Sequence, residues 1–210
     1  MPFADREDAG RQLAEALASH RRTKNVVIVA LPRGGVVLGR VVADFLGAPL
    51  DLVVPRKIGA SGNEEFAIGA ITEEGDAVWN EAERAMADPD YLEQEVKKQQ
   101  AEARRRLGLY RAGLPPRDLK DKTVIIVDDG IATGYTMRAA VNTVKAAGAA
   151  RVVVAVPVAP PDSAEALRVA VDEVVVLETP RLFWAIGAFY GEFGQVDDET
   201  VVKLMNSNKP

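Results

Sequence analysis

Five short apolar runs, rich in β-branched residues, punctuate the chain: Val26 to Val29, Leu52 to Val54, Val124 to Val127, Val152 to Val156 and Val174 to Leu177. No polar position interrupts them, so each reads as a strand buried on both faces. Helix-like segments lie between them, predicted over 35–45, 136–147 and 163–169. Strand and helix in alternation imply an α/β fold, a parallel sheet core of about five strands flanked by helices on both faces. Ligands of such sheets bind beyond the carboxyl ends of the strands, so the loops that follow the strands are where chemistry is expected.

Two stretches break the alternation. Arg56 to Asn63 contains Gly59, Ser61 and Gly62, the composition of a flexible loop. It leads into Phe66 to Ile71, a turn at Glu73-Glu74-Gly75-Asp76, and Ala77-Val78-Trp79, which together read as an antiparallel hairpin. Asp88-Pro89 then reads as a helix cap with proline in the first turn, and the helix is expected to run to about Leu107, before Gly108. Leu92, Val96, Ala103, Leu107 and Tyr110 keep a narrow apolar stripe. Acids crowd its start (Asp88, Asp90, Glu93, Glu95) and Arg104, Arg105 and Arg106 its end, as the helix dipole favours. The polar connector from Pro115 to Lys122 precedes a strand that needs sheet neighbours, so all 210 residues are expected to form one domain.

Lys and Arg number 26 against 31 Asp and Glu, a formal charge of −5. No general positive field draws nucleic acid, and an anion site has to be built locally. With no cysteine and one histidine, disulfides, thiolate zinc sites, cysteine nucleophiles and multi-histidine metal centres within one chain are excluded. Charges at Asp5, Arg6, Glu7 and Asp8 stand where a signal peptide needs an apolar core, and no stretch reaches the ~18 apolar residues of a membrane span. A cytoplasmic protein, not bound in a membrane, is expected.

The chemistry concentrates after the third run. Asp128 and Asp129 end that buried strand as adjacent carboxylates, which repel one another unless hydroxyl donors or a cation share the site. A Gly- and Thr-rich turn then opens a helix. The backbone N–H groups of Ala132, Thr133, Gly134, Tyr135 and Thr136 point out of its N-terminus with two threonine hydroxyls beside them, a cradle for phosphate. Carboxylates for hydroxyls next to amides for phosphate describe a site for ribose 5-phosphate.

The same string resembles the signature with which type I phosphoribosyltransferases bind phosphoribosyl diphosphate (PRPP): four apolar residues, two acids, then a small-residue Thr-Gly turn. The resemblance implies that family's Rossmann-like core over about 25–180, with a β-hairpin, a flexible loop and a small hood from about 1–22 and 181–210. It gives Asp128 and Asp129 the ribose hydroxyls and, through ligand or water, Mg²⁺; it gives Ala132 to Thr136 the 5-phosphate. Leu31-Pro32-Arg33-Gly34-Gly35 is similar to the pyrophosphate loop, where Arg33, Gly34 and Gly35 would contact the diphosphate, sometimes through a non-proline cis peptide. Taken alone it is also an ordinary strand-to-helix turn. As a dinucleotide fingerprint it lacks the G-x-G-x-x-G spacing.

Pro55-Arg56-Lys57 sets two cations at the same sheet edge and resembles the Arg-Lys pair of the orotate and adenine enzymes, which makes Arg56 and Lys57 pyrophosphate ligands and catalytic candidates. Glu64-Glu65-Phe66 resembles the acidic stretch of the adenine enzymes, which makes Glu65 the candidate for the base's proton. The pattern departs at Ala132, where hypoxanthine-guanine enzymes carry an Asp that acts on the purine; alanine moves no proton, so a 6-oxopurine is disfavoured. Phe183, Trp184 and Tyr190 in the hood are candidates to stack on the base. The reaction implied is a Mg²⁺-dependent transfer of the 5-phosphoribosyl group from PRPP to a nitrogen acceptor, a nucleobase, with release of pyrophosphate. Two rivals stand beside it: a non-catalytic PRPP sensor that binds nucleic acid or a protein through Arg104 to Arg106 and Arg111, and a nicotinamide-dependent oxidoreductase. Oligomeric state stays open, although family members are often homodimers.

Overall fold

In the computed structural model, which describes residues 2–75 and 77–207 apart from the side chain of Glu65, the first element is helix α1 (Arg6–Ala16). Asp5 caps it, accepting from the Asp8 N–H at 2.8 Å. Strand β1 (Val26–Ala30) leads into α2 (Gly34–Leu46), which ends at left-handed Gly47 before β2 (Leu50–Leu52). A separate antiparallel sheet follows, β3 (Arg56–Ala60), β4 (Asn63–Ile71) and β5 (Val78–Trp79), then α3 (Glu81–Met86) and the long α4 (Pro89–Arg111). The chain returns to the first sheet with β6 (Thr123–Val127), α5 (Tyr135–Ala146), β7 (Arg151–Val158), α6 (Pro161–Arg168) and β8 (Glu173–Glu178), and α7 (Asp198–Asn206) follows.

The main sheet runs β2-β1-β6-β7-β8, and every pair is parallel. Its strands carry unbroken apolar runs because both faces are covered. Ile28, Ala30, Ile125, Val127 and Val153 face a core shared with α1 and α2; Val27, Val29, Val124, Ile126 and Val152 face one shared with α5 and α6. Each such valine or isoleucine, fully buried, contributes about 1.5–3 kcal/mol. Leu13 and Leu17 are wholly buried in the first of these cores. Among the described residues no helix is long and apolar enough to cross a membrane.

Beyond shifts of one or two residues at other element ends, three stretches differ from what the sequence predicts. The second strand ends at Leu52, because the Val54 N–H donates to a Glu73 carboxylate oxygen at 3.1 Å and leaves the ladder. Arg56 to Ala60, read as the start of a flexible loop, is a strand: it pairs antiparallel with β4, buries Ile58 against Leu92 and Val96, and turns at Ser61-Gly62, where Gly62 has φ +78°. Helix α4 runs through Gly108 to Arg111, since Tyr110 in its last turn is fully buried and holds the end down. The hairpin itself is present, with Gly69 opposite Trp79 and Ala70 opposite Val78; Asp76 of its turn lies outside the described residues.

Candidate functional site

Strands β1 and β6 are neighbours in register, Ala30 opposite Val127, so the loops that leave their carboxyl ends meet. The Leu31 N–H donates to the Val127 carbonyl at 3.0 Å, and the Pro32–Arg33 peptide bond is cis. The two glycines that follow have no room for a side chain. A Cβ on Gly34 would lie 1.9 Å from Asp129 Oδ2, and one on Gly35 would lie 2.9 Å from Asp128 Cα and from the Val127 carbonyl oxygen. The glycine turn is therefore the surface on which the acidic pair rests.

Both acids are held from several sides. Asp128 Oδ1 accepts from the Asp129 N–H at 2.8 Å, and Asp129 Oδ2 accepts from Arg6 Nε at 2.8 Å. Among the described residues Asp128 Oδ2 and Asp129 Oδ1 have no protein donor, so each carboxylate keeps one free oxygen. Burial pushes both carboxyls above their ordinary range; the Asp129 charge raises Asp128 further, while Arg6 pulls Asp129 back down. Tyr190 donates to the Asp129 carbonyl at 2.6 Å, and burial followed by the Asp129 charge raises this phenol strongly.

The next turn is fastened at its flanks: the Ile131 N–H donates to the Val158 carbonyl at 2.9 Å and Ser163 Oγ to the Ala132 carbonyl at 2.7 Å. Gly134, with φ +79°, caps α5. Among the described residues none of the N–H groups of 132–136 donates to a protein acceptor. Those amides stay available because helix N-termini leave their first donors unpaired.

Arg6, Arg33, Gly34, Lys57, Asp128, Asp129, Ala132, Thr133, Gly134 and Thr136 line one cleft of 890 Å³, together with Phe66 and the segment from Phe183 to Gly187. Tyr135 does not line it; its ring packs on Ala70, Val78 and Ala139. Lys57 and Arg56 part company because successive strand residues point to opposite faces. Lys57 reaches the cleft, whereas Arg56 donates from Nε to Gln99 Oε1 of α4 at 3.0 Å, and burial lowers its pKa, with the Arg106 charge adding to the effect. The side chain of Glu65 lies outside the described residues. Of the three aromatic candidates, Phe183 and Trp184 line the cleft, Trp184 being 87% exposed, and Tyr190 is buried beneath it against Phe3.

Arg104 donates to the Glu73 carbonyl at 3.0 Å, Arg105 and Arg106 both bind Glu102, and Arg111 binds Asp51. They are engaged with the protein rather than presented as a basic face. His20 is buried 3.3 Å from a Glu173 carboxylate oxygen and belongs to the core side of the sheet. Arg6, Phe193, Gln195 and Val196 also line the cleft without a signal in the sequence. Asp198, at a helix start outside the lining, accepts from Tyr110 at 2.7 Å and lies 3.6 Å from Arg33 Nη1. Burial and that hydrogen bond push the Tyr110 phenol up to about 12.

This arrangement has relatives. The crystal structure of TT1426 from Thermus thermophilus matches with a TM-score of 0.82 and 46% identity over 98% of each chain. A Neisseria gonorrhoeae protein solved with bound ppGpp, 15% identical with a TM-score of 0.50 over 99% and 98% of the two chains, shares the fold alone. A Mycobacterium tuberculosis H37Rv protein, named provisionally as a phosphoribosyl transferase, is 43% identical over 97% of this chain. The chain spans only 46% of that relative's length. The phosphoribosyl transferase domain model matches residues 4–189, which takes in the glycine turn, the acidic pair and the amide cradle just described. On that match, and on the parallel sheet that carries those three elements, the chain belongs to the phosphoribosyl transferase family.

Proposed function

We propose that the chain transfers the 5-phosphoribosyl group of PRPP to a nitrogen acceptor of the nucleobase type and releases pyrophosphate. The observation that carries this reading is the juxtaposition, in one cleft, of two carboxylates with one free oxygen each and a run of undonated amides at a helix start. Asp128 and Asp129 take the ribose hydroxyls, the 132–136 amides and the Thr133 and Thr136 hydroxyls take the 5-phosphate, and the 33–35 turn takes the diphosphate. Family membership supports the same assignment.

As the acceptor nitrogen attacks C1, the bond from C1 to the diphosphate oxygen breaks and C1 passes through an oxocarbenium-like state. Negative charge collects on the departing diphosphate. Arg33 and Lys57, both lining the cleft, face that charge, and their cations lower the barrier most if they are already in place. Arg56 is assigned to the same cationic group and in the free chain rests on α4 through Gln99. Glu65 is assigned to the acceptor's proton from the family resemblance. The hood aromatics Phe183 and Trp184 supply the wall against which a flat acceptor packs.

Mg²⁺ fits this site through substrate. Among the described residues no group of three or more acidic, cysteine or histidine side chains gathers as a cage, but two buried like-charged carboxylates with free oxygens suit a cation that completes its shell with water and phosphate. When bound, the metal neutralises diphosphate charge.

The test is incubation with PRPP, Mg²⁺ and a panel of purines and pyrimidines, scored by pyrophosphate release. Release that depends on one base class is expected. PRPP binding by calorimetry with no release on any base, joined to a salt-dependent gel shift, would return the sensor reading; the pairing of Arg104, Arg105, Arg106 and Arg111 gives that reading no support.

A further inference from the structure

We propose that Arg6 is a positioning residue of the PRPP site, gripping Asp129 so that this carboxylate presents one fixed oxygen to the ribose. The proposal rests on the PRPP reading above. Arg6 sits in the first turn of α1, 123 residues from the carboxylate it holds. Its guanidinium is used on three sides: Nε donates to Asp129 Oδ2 at 2.8 Å, Nη1 donates to the Gly194 carbonyl at 2.6 Å, and Cζ lies 3.8 Å from the centre of the Phe193 ring. Its side chain is 12% exposed, and that of Asp129 14%, yet both line the cleft.

Stability alone is a poor account of this pair. Withdrawing two charges from water costs about as much as their attraction returns, and apolar side chains of the same size usually serve as well. Geometry is what the arginine adds. With Oδ2 occupied, Oδ1 is the oxygen of Asp129 left for a ligand. The same cation offsets part of the repulsion between the adjacent acids, pulling the Asp129 carboxyl back down against its burial. The pair also lies against the diphosphate turn, since a Cβ on Gly34 would stand 2.8 Å from Arg6 Nε. A lysine brings the charge without the fork; a single point donor cannot hold a carboxylate and a carbonyl while lying flat on a ring.

Arg6→Met and Arg6→Lys are to be titrated calorimetrically with ribose 5-phosphate and, separately, with pyrophosphate, both with Mg²⁺. A residue acting through Asp129 predicts ribose 5-phosphate affinity falling roughly 10-fold in Arg6→Met, the yield of about one charged hydrogen bond, and by less in Arg6→Lys. Pyrophosphate affinity should stay within about threefold of the native chain, which also reports an intact fold. Unchanged ribose 5-phosphate affinity in Arg6→Met overturns the proposal. So does equal loss of both ligands, which marks general disruption. If Arg6→Met does not fold, Arg6→Lys carries the same comparison. A native chain that binds neither PRPP nor ribose 5-phosphate instead overturns the functional reading, and Arg6 falls with it.

Discussion

Asp128→Asn separates what the acidic pair does for the ligand from what it does to the fold. Asparagine keeps the shape and an oxygen to accept from the Asp129 N–H, so the loop is undisturbed, and the pair of Arg6 with Asp129 is left alone. The charge on the one free Asp128 oxygen is lost. A charge-assisted hydrogen bond is worth about 1.5–3 kcal/mol, so PRPP should bind roughly 10- to 150-fold more weakly. The same loss is readable as heat stability. At a PRPP concentration 100 times its Kd, the native chain gains about 2.7 kcal/mol, near 5–11 °C in Tm for a chain of this size. With a Kd about 30-fold higher, the variant at that concentration gains about 0.9 kcal/mol, or roughly 2–4 °C. Without ligand the sign reverses. Burial and the Asp129 charge hold Asp128 above its ordinary range, so its ionised form destabilises the folded chain at neutral pH, and Asp128→Asn should melt higher than the native protein. Calorimetric titration and thermal melts with and without PRPP settle both halves. An affinity within threefold of the native value would refute the assignment of Asp128 to the ribose; a ligand-free Tm that falls would refute only the cost of burying its charge.

Lys57→Ala should lower turnover roughly 10²–10³-fold with a much smaller change in PRPP affinity, as expected of a cation aimed at developing charge; steady-state kinetics with unchanged kcat would remove Lys57 from the chemistry. Gly35→Ala drives a methyl to 2.9 Å from the Asp128 and Val127 backbone, so overpacking of about 1–3 kcal/mol and a matching drop in Tm are expected, together with weakened PRPP binding. Native stability there would mean that the turn is looser than its contacts imply. Glu102, bonded to Arg105 and Arg106, is held down at about 2 from an ordinary value of 4.5. Its folded value lies below its unfolded one, so its contribution stands above pH 4.5 and fades as pH falls toward 2. Glu102→Gln should therefore cost up to about 1 kcal/mol at pH 7, as for a partly exposed pair, and the gap in urea midpoints should narrow by pH 3; an unchanged gap contradicts the ion pairs.

What was legible in the sequence was what a local string can carry. The core strands announce themselves because burial on both faces forbids polar alternation, as in Val124 to Val127. The acids and the cradle could be read because they follow that strand without a break. Strand β3 was hidden by its own composition: Gly59 is small because a Cβ would lie 2.6 Å from the Glu64 carbonyl oxygen, yet in sequence it looks like flexibility. Once 56–60 is a strand, the opposite facing of Arg56 and Lys57 follows from its two-residue period, which a loop reading of that segment cannot supply. Arg6 left no local signal at all. Nothing in Asp5-Arg6-Glu7-Asp8 separates the residue that enters the cleft from those that cap or decorate the helix, since its partners are Asp129, Phe193 and Gly194. Which charges exist at a site can be read from neighbouring letters; which of them meet depends on sheet register and chain return. The cation beside the acidic pair arrives through a contact between residues 123 positions apart, and it is at that contact that the proposed function is most open to experiment.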